Sequence, residues 1–127
     1  MKQIILVVED NQPSRELLSD WLEVEGFQVV AAENLEQAFA AFKEQPAPNA
    51  VLLDVQLGLE DGLSLAKWVR EDEHFRNTPV IAVTAHAMVT DQERVMQAGC
   101  NAVVSKPIDF KALQKQLAAC LNILGEG

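Results

Sequence analysis

Basic residues are scarce in this sequence. Ten lysines and arginines face nineteen aspartates and glutamates, a formal charge of −9 over 127 residues. That balance excludes a nucleic-acid footprint spread over the domain and a polybasic membrane anchor. Cysteine is nearly absent: Cys100 and Cys120 are too few for a disulfide framework and fit a reducing, cytoplasmic compartment. No apolar run approaches the roughly 20 residues of a membrane span. Met1-Lys2-Gln3 leads directly into Ile4-Ile5-Leu6-Val7-Val8, which lacks the length and cleavage site of a secretory signal. Repeats, linkers and low-complexity stretches are missing too, so residues 1–127 are expected to form a single domain.

What is present is core material. Hydrophobic residues make up 49% of the chain and charged ones 23%, a globular composition. For a chain of 14.0 kDa, area scaling predicts that about two-thirds of the unfolded surface is buried on folding. Short apolar runs at 4–8, 29–32, 50–54, 80–84 and 102–105 alternate with longer helical patterns. The first, third and fourth runs are almost continuous Val, Ile, Leu and Ala, the mark of strands covered on both faces.

The helical segments carry their own punctuation. Pro13 suits a first turn after Asn11 and Gln12, and Leu17, Leu18, Trp21 and Leu22 supply an apolar stripe that Gly26 ends. Asn34 with Gln37 forms a capping-box pattern ahead of Leu35, Ala38, Phe39 and Phe42, and Pro46 stops that helix. Asp61-Gly62 opens a third helix with Leu65, Trp68 and Val69. Thr90 with Glu93 starts a fourth, closed by Gly99 at a C′ position. Asp109 caps a fifth with Leu113, Leu117, Leu121 and Leu124 on one face. Five strand–helix repeats joined by right-handed crossovers predict an α/β fold: one parallel sheet with helices on both faces.

In such sheets ligands bind beyond the carboxyl ends of the strands. Those ends hold Glu9 and Asp10 after the first strand, Asp54 after the third, Thr84 after the fourth and Lys106, followed by Pro107, after the fifth. Three neighbouring carboxylates repel one another, and a divalent cation relieves the strain. Mg²⁺ suits an all-oxygen donor set that works with phosphates. An aspartate can attack phosphorus to give an aspartyl-phosphate. Lys106 would neutralise phosphoryl charge and the Thr84 hydroxyl would donate to a phosphoryl oxygen. The set is sufficient for metal-assisted phosphoryl transfer onto a carboxylate.

Across nearly its whole length the sequence resembles the receiver domain of two-component response regulators. The matching pieces are Val8-Glu9-Asp10-Asn11, Leu53-Asp54-Val55-Gln56-Leu57 with Asp61-Gly62, Val83-Thr84-Ala85-His86-Ala87-Met88, Ala98-Gly99-Cys100 and Ser105-Lys106-Pro107-Ile108. The resemblance implies a flavodoxin-like (βα)5 three-layer sandwich with strand order 2-1-3-4-5. It implies that Asp54 is the phosphoacceptor, and that Glu9, Asp10, Asp54 and the backbone carbonyl of Gln56 hold Mg²⁺. Thr84 would be the switch hydroxyl, and Lys106 would pair with the phosphoryl group ahead of a cis peptide to Pro107. The implied donor is a histidine kinase or histidine phosphotransfer protein. The implied target binds the face formed by residues 90–98, 102–105 and 109–124, with no direct nucleic-acid or membrane contact. The domain would then catalyse only its own phosphorylation and dephosphorylation. The segment from Val83 to Met88 is also similar to receivers attached to hybrid kinases; Met1 and the short tail favour a free-standing protein with no output domain.

Two positions depart from the family pattern. Gly58 replaces the usual proline four residues after the phosphoacceptor, so the loop over 58–62 is expected to be more mobile than usual. Val103 replaces the usual aromatic residue three positions before the lysine. Activation is therefore expected to be reported by Thr84 and the 85–90 loop, through repacking of the helix over 90–98. The resemblance implies that His86 and Gln56 border the phosphoryl group; on the residues alone His86 reads equally as an exposed loop histidine. Two other chemistries fit less well. A toprim-type nuclease wants Asp-x-Asp where Asp54-Val55-Gln56 stands, and a flavodoxin wants a Ser/Thr/Gly phosphate loop where Glu9-Asp10-Asn11-Gln12-Pro13 stands. Cys100, Cys120, Trp21 and Trp68 are expected to serve packing.

Overall fold

The computed structural model describes residues 2–85 and 89–121, with residues 89 and 90 described by their backbone alone. Strand β1 (Ile4–Val8) leads to helix α1 (Gln12–Val24), β2 (Gln28–Ala32), α2 (Leu35–Lys43) and β3 (Ala50–Asp54). A small pair, β4 (Gln56–Leu57) and β5 (Glu60–Asp61), follows. Then come α3 (Leu63–Glu71), β6 (Val80–Thr84), α4 (Val89–Gln97), β7 (Ala102–Ser105) and α5 (Phe110–Leu121). The main sheet is parallel throughout, in the order β2-β1-β3-β6-β7. Once the small pair is set aside, this is the expected 2-1-3-4-5 arrangement and the flavodoxin-like class.

The continuous apolar runs are what a sheet buried on both sides requires. Every residue of β1, β3 and β6 is buried, and alternate side chains enter opposite layers. Leu6, Val8, Val51, Leu53, Val80 and Ala82 join Phe42 of α2, Leu65 and Val69 of α3 and Val95 of α4. Ile5, Val7, Ala50, Leu52, Ile81 and Val104 join Leu18 and Leu22 of α1 and Leu113 and Leu117 of α5. Two helices therefore cover one face and three the other. Trp68 packs edge-on against Phe39 and Phe42, and Trp21 stacks at a tilt on Phe110, so both tryptophans serve the core.

The caps follow the sequence closely. Asn11 accepts from the Ser14 N–H at 3.0 Å with Pro13 in the first turn, and Asn34 accepts from the Gln37 N–H at 2.9 Å. The return bond of that second box goes one residue further out, from the Glu33 N–H to Gln37 at 2.8 Å. Asp109 accepts from the Lys111 and Ala112 N–H groups. Gly99 ends α4 at φ +108°, with its own N–H on Met96 and that of Cys100 on Val95, the paired bonds of a Schellman stop. The Thr90 cap and Leu124 lie outside the described side chains.

One expectation is corrected. Leu17 is 58% exposed, because Leu18 and Leu22 take the inward stripe of α1 and Leu17 lies one step around the helix from it. The 58–62 segment, expected to be more mobile than usual, carries a local pairing. Leu57 pairs with Glu60 and Gln56 with Asp61 in an antiparallel turn around Gly58, which sits at φ +59°. Glycine populates that left-handed conformation readily and proline cannot.

Candidate functional site

The parallel register delivers the site. Val8 lies opposite Leu53, Asp54 opposite Val83, and Thr84 opposite Ser105. The residues that end β1, β3, β6 and β7 therefore emerge side by side along one edge of the sheet. Glu9 continues the ladder through its N–H to the Ala32 carbonyl at 3.0 Å, and Lys106 does so through its N–H to the Thr84 carbonyl at 2.8 Å. The Lys106–Pro107 peptide is cis, as the resemblance implies, and Gln45–Pro46 is cis as well.

At this edge polar side chains sit where apolar ones would be expected. Glu9, Asp54 and Thr84 are 2%, 6% and 3% exposed. The Lys106 Nζ donates to Glu9 Oε1 at 2.9 Å and to Asp54 Oδ2 at 3.2 Å. The second oxygens are also held: Glu9 Oε2 accepts from the Asn11 N–H at 3.2 Å and Asp54 Oδ1 from the Gln56 N–H at 3.0 Å. No buried side-chain nitrogen or oxygen lacks a partner among the described residues. Burial, and then the neighbouring Asp54, holds the Glu9 carboxyl above its ordinary range, against the pull of Lys106 and the Asn11 N–H. Burial works against the Lys106 ammonium, yet its contacts with Glu9 and Asp54 together outweigh that and raise its proton affinity.

Asp10 is exposed, and completes a triad with Glu9 and Asp54 in which one carboxylate oxygen from each lies within 4.8 Å of the others. Three carboxylates against one lysine leave a formal −2, concentrated on oxygen donors and open to solvent on the Asp10 side. That is the charge and donor chemistry of a Mg²⁺ site. Gly58 lies beside it, where a Cβ would stand in ordinary contact, 3.7 Å from Asp10 Oδ2. The sequence-derived set of Glu9, Asp10, Asp54 and Lys106 is thus assembled in one place, with Thr84 and Gln56 as immediate neighbours. His86 lies outside the described residues.

The structure adds two supports that sequence did not flag. The Arg15 guanidinium donates to the Glu9 carbonyl at 3.0 Å and pairs with Glu33 at 3.3 Å, tethering the acidic turn to the first coil of α1. Gly62 lets α3 begin hard against the end of β3, where an added Cβ would meet the Asp54 carbonyl oxygen at 2.5 Å. The Asp-Gly pair was the available signal for that approach; nothing in the sequence singled out Arg15. Cys100 is a buried free thiol that burial pushes up to about 11, with Arg70 pulling the other way, so it stays protonated and inert.

A family model for the response regulator receiver domain matches residues 5–118. The polar-differentiation response regulator DivK of Brucella anthropi is 40% identical over 108 residues, covering 85% of this chain and 87% of that one. The receiver domain of sensor histidine kinase PA1611 from Pseudomonas aeruginosa, solved with a magnesium ion coordinated in its active-site cleft, is 33% identical. It superposes with a TM-score of 0.85 over 96% of this chain and 99% of that one. The receiver domain of NtrX from Brucella abortus is 27% identical, with a TM-score of 0.83 over 93% and 98% of the two chains. Together with the acid-and-lysine edge of a parallel sheet in this order, these likenesses show that the chain belongs to the response regulator receiver domain family.

Proposed function

We propose that this receiver accepts a phosphoryl group on Asp54 from a phosphohistidine of a histidine kinase or phosphotransfer protein. The observation that carries the reading is the Lys106 ammonium bridging Glu9 and Asp54 inside a buried acidic cluster. A structural ion pair needs one acid per lysine. Here one lysine serves two acids and a third stands exposed beside them, a surplus of negative charge that costs stability unless a cation uses it.

In the proposed reaction an Asp54 carboxylate oxygen forms a bond to phosphorus as the phosphorus–nitrogen bond to the donor imidazole breaks. The imidazole keeps that electron pair and takes up a proton. Mg²⁺, held by Glu9, Asp10, Asp54 and the Gln56 carbonyl, would offset charge on the transferring group. Lys106 releases Asp54 Oδ2 to pair with a phosphoryl oxygen, and the Gln56 N–H already aligns the carboxylate. The Thr84 hydroxyl, at the buried end of β6, donates to a second phosphoryl oxygen. Water later cleaves the acyl phosphate and returns the carboxylate. Output runs through protein contacts on the α4, β7 and α5 face. Among the described residues no helix is long and apolar enough to cross a membrane.

The test is intact mass after incubation with acetyl phosphate and Mg²⁺. One phosphoryl group should add to the wild type and none to Asp54→Asn or to protein with excess chelator. A wild type that gains no mass, or an Asp54→Asn that gains as much, overturns the proposal.

A further inference from the structure

With Val103 in place of an aromatic ring, the usual inward-turning reporter is missing, and Val103 itself packs against the helical layer that contains α4. A different group must register the charge that arrives at Asp54. Beside the site lies a cleft of about 240 Å³ lined by Val55, Gln56, Thr84, Asp91, Arg94 and Val95. Its two walls are the segment just after Asp54 and the first turns of α4. The near wall is wired to the phosphoacceptor, because the Gln56 N–H is bonded to Asp54 Oδ1 at 3.0 Å. The far wall carries one cation, Arg94. Its guanidinium is exposed and forms no ion pair with any described residue, where the pairs are Arg15–Glu33, Lys106–Glu9 and Lys106–Asp54.

The charge count shows what such a cation is for. Three ionised carboxylates, Lys106 and one Mg²⁺ sum to zero. Converting the Asp54 carboxylate to an acyl phosphate replaces one negative charge by nearly two, so the occupied site acquires a net charge of about −1. Lys106 is already engaged. The cation that lines the adjoining cleft is Arg94, whose long side chain and planar donors suit a phosphoryl oxygen. Val95 beside it is buried in the core, so a movement of Arg94 is transmitted to α4 as a whole.

We infer that Arg94 is the reporter of phosphorylation: it closes across this cleft toward the phosphorylated Asp54 and draws α4 with it, against the repulsion of Asp91, the one acid lining the cleft. The inference rests on the reading of Asp54 as phosphoacceptor. Its test uses beryllofluoride with Mg²⁺ as the phosphoryl mimic, and reads both mimic affinity and hydrogen exchange of the α4 amides over residues 91–97. In wild type the mimic should slow exchange along α4. In Arg94→Ala the mimic should bind on the order of tenfold more weakly and the α4 response should be lost, with Arg94→Lys restoring part of both. Asp91→Asn should tighten mimic binding.

Wild-type affinity and a wild-type α4 response in Arg94→Ala would overturn the inference while leaving the phosphoacceptor reading intact, and so would weaker binding in Asp91→Asn. A wild type that takes up no phosphoryl group from acetyl phosphate brings down both.

Discussion

Replacing Gly62 with alanine sets two rules against each other. Gly62 has ordinary helical angles, φ −58° and ψ −26°, at the start of α3. Because glycine forfeits more chain entropy on folding, alanine at those angles should by that rule alone stabilise the protein by up to about 1 kcal/mol. Packing says the reverse. The new methyl carbon would lie 2.5 Å from the Asp54 carbonyl oxygen and 3.0 Å from that of Val55, both backbone atoms in or beside a buried strand. The closer contact is nearly 1 Å short of a normal one, and no side chain can swing away to relieve it. Overpacking of this kind costs about 1–3 kcal/mol. The expected net loss is therefore roughly 1–2 kcal/mol after the entropic gain. For 127 residues, at ~2.1 cal/mol/K of unfolding entropy per residue, that lowers Tm by about 4–8 °C. The strain lands on Asp54, the proposed nucleophile, so phosphorylation by acetyl phosphate should slow at least about tenfold. Gly26→Ala is the control. Nothing lies within 4 Å of a Cβ there, but φ is +99°. It should cost about 1–2 kcal/mol through backbone strain and leave the phosphorylation rate alone. A Gly62→Ala protein that melts at or above the wild-type temperature and reacts at the wild-type rate would refute the reasoning.

Mg²⁺ at a hundredfold over its dissociation constant should stabilise the protein by about 2.7 kcal/mol in thermal melts. Asp10→Asn should lose most of that gain while keeping metal-free stability, because Asp10 is exposed. Glu9→Gln should raise metal-free stability near neutral pH. The fold holds the Glu9 carboxyl above its ordinary value of 4.5, so its contribution to stability is lost as pH rises through the raised value and is complete below 4.5. The advantage of glutamine should accordingly shrink to nothing in urea titrations near pH 4, and an advantage that grows on acidification would contradict this. Arg70→Ala should cost roughly 2–4 kcal/mol in urea, because the guanidinium donates to the Gly99 and Thr78 carbonyls at 2.7 Å, the Arg76 carbonyl at 3.0 Å and the Asn101 side chain. Phosphorylation of Asp54 should persist in that variant.

Much of this architecture is visible in the residues themselves. The runs at 4–8, 50–54 and 80–84 are apolar at every position but the last of two of them, and that pattern has one economical explanation, a strand buried on both faces. Asp54 and Thr84, the polar exceptions, fall at strand ends, and this turned a fold reading into a site reading. Asn11, Asn34 and Asp109 cap helices as their side chains dictate. Other features depend on partners far away in the chain. Whether Leu17 or Leu18 faces inward is decided by the tilt of α1 against β1 and α5, which periodicity alone leaves open. The β4–β5 pair is two residues per strand, too short to leave an alternation. Lys106 was legible as a cation at a strand end, but its bridging of two acids required the register of β1, β3 and β7 together.

That register carries a consequence for how the site can fail. The acids, the hydroxyl and the ammonium reach one another only because neighbouring strands end in step, and a slip of a single residue turns the side chains of a strand to its opposite face. The proposed magnesium affinity would therefore belong to the aligned sheet and not to any one segment. A partially unfolded or misaligned molecule should have nothing to offer the ion, which makes metal uptake a direct gauge of correct assembly.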